Sequence, residues 1–266
     1  MADRTRLKRR VIKWLKAVMI VGGAVLWMFI ATSASKNQYA IPCQERIGIN
    51  IKGNDHLRLI TEQQVYMLIS ESYGRPIQGE SLGEVELDVI ERIVMTIPHV
   101  NDASAHVDMH ARLSVDIIQK QPLARVLHND GVSYYLDQSG SMLPLSDNFT
   151  ARVPVISGTL TSLRESQSVS DNAIWKVLYS FMQTIGRDKF MSALLEQIHR
   201  EQNGELLLIS KLGDAKIRFG KPEDVDGKLA KLRTFFERGI TSINFNQFES
   251  IDLRFAGQVV CKKRNA

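Results

Sequence analysis

The 266-residue sequence predicts an α+β protein: a single N-terminal transmembrane helix, then a small mixed module, then a larger, mainly antiparallel β domain with packed helices. Three observations predict it. A 15-residue apolar run, residues 17–31, follows a strongly basic tail. Apolar residues then recur in the order strand, helix, helix, strand, strand between residues 47 and 121. Beyond residue 122, short alternating runs bounded by turn residues are interleaved with amphipathic stretches.

The apolar run is short of the roughly 20 residues a span needs, but its flanks extend it. Val11, Ile12, Trp14 and Leu15 lie on one side and Thr32, Ser33 and Ala34 on the other, while Lys13 and Lys16 can snorkel to the headgroups. The expected span is residues 11–34, behind a basic tail at 1–10. Small residues at Ala31, Ser33 and Ala34 leave cleavage open; a retained anchor is the expectation. Arg4, Arg6, Lys8, Arg9, Arg10, Lys13 and Lys16 oppose only Asp3, which keeps the N-terminus in the cytoplasm. Of 34 basic and 29 acidic residues, 27 and 28 remain after residue 16, so the basic total reflects topology and gives no footprint for nucleic acid.

Residues 35–46 read as a polar linker. Cys43 and Cys261 lie far apart on the exported side; a disulfide and free thiols both stay open. Ile47, Ile49 and Ile51 alternate as a short strand. Thr61 to Gln64 has capping-box spacing before Val65, Leu68, Ile69 and Tyr73. A second box, Ser81 to Glu84, predicts a helix with Leu82, Val85, Val89, Ile93 and Ile97 inward, ending at Pro98. A hairpin follows: Ala103, Ala105, Val107 and Met109 alternate, the chain turns near His110-Ala111, and Leu113, Val115 and Ile117 resume the pattern.

In the larger domain, residues 122–262, hairpins are expected with turns at 138–140 and at Gly158. A helix from Asp171 to Arg187 would bury Trp175, Leu178, Phe181, Met182 and Ile185. Phe190 to His199 reads as another amphipathic piece, and 205–210 and 216–220 as strands. A helix at 226–238, with Leu229, Leu232, Phe235 and Phe236 inward, is expected to close at Gly239. Residues 263–266 form a tail.

Several segments carry a family likeness: I-x-I-x-G at Ile49, I-P-H-V at Ile97, L-S-V-D-I-I at Leu113, P-L-A-R at Pro122, L-D-x-x-G at Leu136, and I-D-L-R at Ile251. In this order, outside an anchor, they resemble the POTRA domain and β domain of the bacterial FtsQ/DivIB cell-division proteins. Two positions depart from the pattern: Gln119 stands where relatives usually carry Glu, and Ser250 where they often carry an aromatic. The resemblance implies a non-enzymatic scaffold at the division septum, single-pass in the inner membrane, with its C-terminal domains outside the cytoplasm. Its implied partners are coiled-coil proteins of the FtsB and FtsL kind and the septal peptidoglycan synthesis machinery.

Partner binding is expected at the C-terminal end. The segment Gln258 to Lys262 is short and β-branched, and basic residues follow it, as suits an edge strand. In the family the corresponding strand accepts a strand from the coiled-coil partner. The candidate contact residues are Arg254, Phe255, Gly257, Gln258, Val259, Val260 and Cys261, with Arg200 as a further charge contact; completion of the core by Val259 and Val260 is the other reading. His106-x-Asp108-x-His110 has metal-ligand residue types, but its alternation with Ala105, Val107 and Met109 reads as a solvated strand face. No P-loop, G-x-S-x-G or H-E-x-x-H occurs. No cofactor, metal or small-molecule substrate is expected. Two alternatives stay open: another POTRA-bearing scaffold of envelope transport or assembly, and a cleaved periplasmic enzyme.

Overall fold

Residues 19–28 are helical (α1), with Met19, Ile20, Val25, Leu26 and Trp27 exposed along the helix. The computed structural model describes residues 19–28, 47–53, 57–74, 77, 81, 83–108, 112–161, 163, 169–239 and 244–264. No helix among them is long and apolar enough to cross a membrane. The tail, most of the expected span, the linker with Cys43, and the turn at His110-Ala111 lie outside the described residues.

The described strands form two sheets, and the chain divides into two compact units. The first unit contains β1 (Gly48–Lys52), α2 (Glu62–Ser72), α3 (Leu87–Met95), β2 (Val100–Val107) and β3 (Leu113–Gln119), in the predicted order. Its three-stranded sheet runs β1-β3-β2. Alternation in β3 buries Leu113, Val115 and Ile117, and α2 buries Val65 and Ile69 at helical spacing. The second helix corrects the sequence reading. It starts at Leu87 with Glu86 as N-cap, and it buries Ile90 and Val94 while Val89 and Ile93 are half-buried. The Ser81–Glu84 pair makes a backbone turn, Glu84 N–H to Ser81 O at 2.8 Å, ahead of that helix. Val89-Ile90 and Ile93-Val94 are adjacent apolar pairs, so helical periodicity alone cannot choose between registers one residue apart.

The second unit is built on a nine-stranded sheet in the order β12-β11-β10-β9-β8-β7-β4-β5-β6. Its strands are β4 (Pro122–Leu127), β5 (Ser133–Asp137), β6 (Met142–Leu143), β7 (Val155–Gly158), β8 (Leu195–Arg200), β9 (Leu206–Ser210), β10 (Lys216–Gly220), β11 (Phe248–Asp252) and β12 (Val260–Lys263). The sheet is mixed rather than mainly antiparallel in its centre. β7 runs parallel to both β4 and β8, and β10 runs parallel to β11. Gly158 therefore ends an interior parallel strand and turns no hairpin. Val155-Ile156 is too short to show whether one face or both are covered, which is what hides a parallel strand in a sequence. The other expected turn is present: Asp137 Oδ1 accepts from Ser139 N–H (2.8 Å) and Ser141 N–H (2.9 Å), folding β5 back onto β6.

One row of side chains explains the core. Val126, Ile156, Ile198, Leu208, Ile217 and Ile251 are register partners across six adjacent strands, each almost wholly buried, and the row ends at Cys261 on β12. Over this row pack α4 (Ala173–Arg187), α5 (Lys189–Leu194) and α6 (Val225–Gly239). α4 is capped by Asn172 and buries Trp175, Leu178, Phe181, Met182 and Ile185, as predicted; Phe181 meets Phe219 edge-on at 5.0 Å. The amphipathic piece expected from Phe190 to His199 is helix only to Leu194. Leu195 onward pairs with β7 and β9, and the backbone bonds of two neighbouring strands outweigh a helical pattern. Asp188 N-caps α5 through Phe190 and Met191 N–H and holds Arg233 of α6 at 2.5 Å, tying three helices at one point. Gly239 is the last helical residue and has no positive φ.

Candidate functional site

The last hairpin, β11–β12, is where most of the expected contact residues meet. Among the described strands β12 pairs on one side only, antiparallel to β11 through Ile251–Cys261 and Asp252–Val260, so it is an edge of the large sheet. Arg264 N–H donates to Gln247 O at 2.8 Å, which fixes the alternation of the ladder. Counting back from it, Lys262 and Val260 turn their backbone groups toward β11, whereas Cys261 and Lys263 turn theirs outward. Val259, one step before the strand, shares the outward parity.

Side chains alternate the other way. Val259 is partly buried against the core and Cys261 points to the helix-covered face, where burial pushes its thiol pKa up. Val260 is 41% exposed on the opposite face. Of the two residues read as possible core, only Val259 packs there.

Beside Val259 lies a groove of about 490 Å³ between α6 and the approach to β12, lined by Ala230, Thr234, Phe235, Arg238, Gly257 and Val259 among others. Phe235 was expected to face inward; it is half-buried and forms the wall of this groove while touching Phe236, Phe245 and Phe248 edge-on or tilted. The loop from 254 to 258 is exposed, with Phe255 47% exposed at its tip and Gly257 at φ +71°, where other residues are strained.

Arg254 is held from two sides. Its guanidinium grips Asp252, with Nη2 2.7 Å from Oδ2 and Nε 3.0 Å from Oδ1, and it reaches Glu205 at 3.4 Å. The Arg254 hydrogen bonds hold the Asp252 carboxyl below its ordinary pKa, against the opposing effect of burial. Gly220 makes room for this side chain, since a Cβ there would come within 2.7 Å of Arg254 Cγ. Arg200 lies at the same end of the sheet but on β8, with β9 and β10 between it and β11. Its Nη1 donates to Thr159 O at 2.7 Å, so the structure does not bring it into the hairpin cluster.

Three further residues belong to this corner and are not among the expected contact residues. Asp252 and Glu205 hold Arg254. Lys231 of α6 donates from Nζ to Leu253 O (2.9 Å) and Phe255 O (2.7 Å), spanning the loop. Its signal is the stripe Lys231, Thr234, Phe235, Arg238, which repeats at i, i+3, i+4, i+7 and lines the groove. As for the histidine-rich segment, His106 is exposed, Asp108 binds Arg112 at 3.1 Å, and His110 lies outside the described residues.

The architecture has counterparts. The family profile described as "FtsQ/DivIB, C-terminal related" matches residues 121–262, more than half of the chain. The chain is also similar to the cell division protein FtsQ of Salinibacter ruber (strain DSM 13855 / M31), at 28% identity over 196 residues, covering 70% of this chain and 73% of the relative. The region matched by the family profile contains the large sheet up to Lys262 of its last strand and the corner just described. The chain belongs to the FtsQ/DivIB family of non-enzymatic cell-division scaffolds.

Proposed function

We propose that this division protein is a membrane-anchored scaffold that recruits coiled-coil proteins of the FtsB and FtsL kind by accepting a strand on the outer edge of β12. Residues 11–34 hold it in the inner membrane with the N-terminus in the cytoplasm. The POTRA domain at 47–121 and the β domain at 122–262 stand outside and join the partners to septal peptidoglycan synthesis. The observation that carries this reading is the outward row of backbone donors and acceptors at Cys261 and Lys263, beside an apolar groove. A strand laid there gains main-chain hydrogen bonds, and an apolar side chain next to it finds Phe235 and Val259. Phe255, exposed in the loop that leads into β12, would add an aromatic contact, whereas the Arg254 guanidinium turns toward β10 and is held by Asp252 and Glu205, so its part is to shape the loop. Anchoring is supported by the seven basic residues before the apolar run and by the exposed apolar side chains of α1.

The test is Val259→Pro in the full-length chain. Proline removes an N–H of outward parity and leaves the β11–β12 ladder its own donors. The variant should keep its circular dichroism spectrum and lose capture of the co-expressed coiled-coil partner by about tenfold or more, the scale of one hydrogen bond with its packing. A folded variant that captures the partner at wild-type strength removes the strand-acceptor role.

A further inference from the structure

We infer that Lys231 is a positioning residue for the β12 edge: its ammonium group clamps the β11–β12 loop, so that edge and loop stand ordered before any partner arrives. The inference rests on the strand-acceptor reading for its consequence but on separate geometry for its cause. Between buried Leu253 and half-buried Val259, every residue of the loop is exposed. Apolar packing therefore anchors only its two ends. Within it, Arg254 N–H donates to Asp252 Oδ1 at 3.0 Å, and the carbonyls of Leu253 and Phe255 are both taken by Lys231 Nζ.

Those two carbonyls sit two residues apart. Fixing both sets the peptide planes on either side of Arg254 and Phe255, the first two exposed residues of the loop that leads into the proposed acceptor edge. An ammonium suits this task, because it has three donors and its hydrogen bonds to carbonyls are charge-assisted. Among the described residues Lys231 has no carboxylate within ion-pair distance, so the carbonyl pair is its principal engagement rather than a by-product of a salt bridge. Its half-buried stem lies along the groove wall with Phe235 and Thr234, which limits how far the head can stray. Without the ammonium, a solvent-exposed stretch containing Gly257 would sample many conformations. A partner strand would then have to order the loop as it binds.

The test compares wild type, Lys231→Met and Lys231→Arg in the full-length chain in detergent, by hydrogen exchange, by thermal melting and by the rate at which the coiled-coil partner associates. Methionine keeps the stem and removes the donor. The expected result for Lys231→Met is exchange faster by about fivefold or more at the amides of Arg254 and Val260, which are bonded within the hairpin, unchanged exchange in β8–β10, a melting temperature close to wild type, and slower partner association. Lys231→Arg should recover part of both local effects. Exchange unchanged from wild type overturns the clamp. Faster local exchange with wild-type association overturns the positioning role. If the edge reading itself were wrong, Val259→Pro would leave capture intact while the Lys231→Met exchange effect remained, so the two failures are distinguishable.

Discussion

Asp252 and Arg254 stand two residues apart on one strand end, and their ion pair sets both the shape and the acid response of the corner. The folded-state pKa of Asp252 lies below its unfolded value, so the pair contributes stability that is present above the unfolded pKa and lost as pH falls through the folded one. Asp252→Asn should therefore lower stability by about 1 kcal/mol at pH 7, a modest figure because the guanidinium is partly in water. The melting-temperature gap between wild type and Asp252→Asn should shrink as pH is lowered past about pH 4. A gap that stays constant from pH 7 to pH 3 would show that the pair carries no proton-linked stability. Gln119 makes a related point. Its Oε1 accepts from Leu59 and Ile60 N–H at 3.0 and 3.4 Å, and its Nε2 donates to Leu57 O at 3.1 Å. A carboxylate can accept the first two bonds but cannot make the third. The departure noted in the sequence, Gln119 in place of Glu, is thus a gained donor.

The helices show what periodicity can and cannot decide. In α4 the large apolar residues, Val177 apart, fall on a single stripe bounded by Asn172 and Arg187, and the five buried side chains follow from spacing alone. In α3 two overlapping stripes compete, and the structure selects Ile90 and Val94. Ile90→Ala should cost about 2–5 kcal/mol by opening a cavity, and Ile93→Ala about 1 kcal/mol, since Ile93 is half-exposed already. Urea denaturation of the two variants reads the difference. Equal costs, or a larger loss at Ile93, would contradict the register. The strands that were misread share a physical cause. β7 and β8 are short and interior, and their identity comes from backbone partners that lie as much as 42 residues away in sequence. Only long-range pairing distinguishes Leu195–Arg200 from the end of a helix.

At the scale of the whole molecule, the order of elements was legible because each turn or cap carries its own chemistry. The mixed topology was not, because strand direction depends on which strands meet. The candidate corner was legible in part. Residues 254–261 drew notice as an edge-like, β-branched end, whereas Lys231 and Glu205 reach it from α6 and from the start of β9. Arg200 was drawn in by its charge, yet its guanidinium is spent on Thr159 O. The central claim is that the free edge of β12 is an acceptor, and amide exchange resolved by residue in the partner complex tests it most directly. In the free protein the outward amides of Cys261 and Lys263 should exchange fast, and the inward amides of Lys262 and Arg264 slowly. On binding the coiled-coil partner, Cys261 and Lys263 should become protected by about tenfold or more while the inward pair changes little. A complex that forms with Cys261 and Lys263 still exchanging at their free rates would contradict the account.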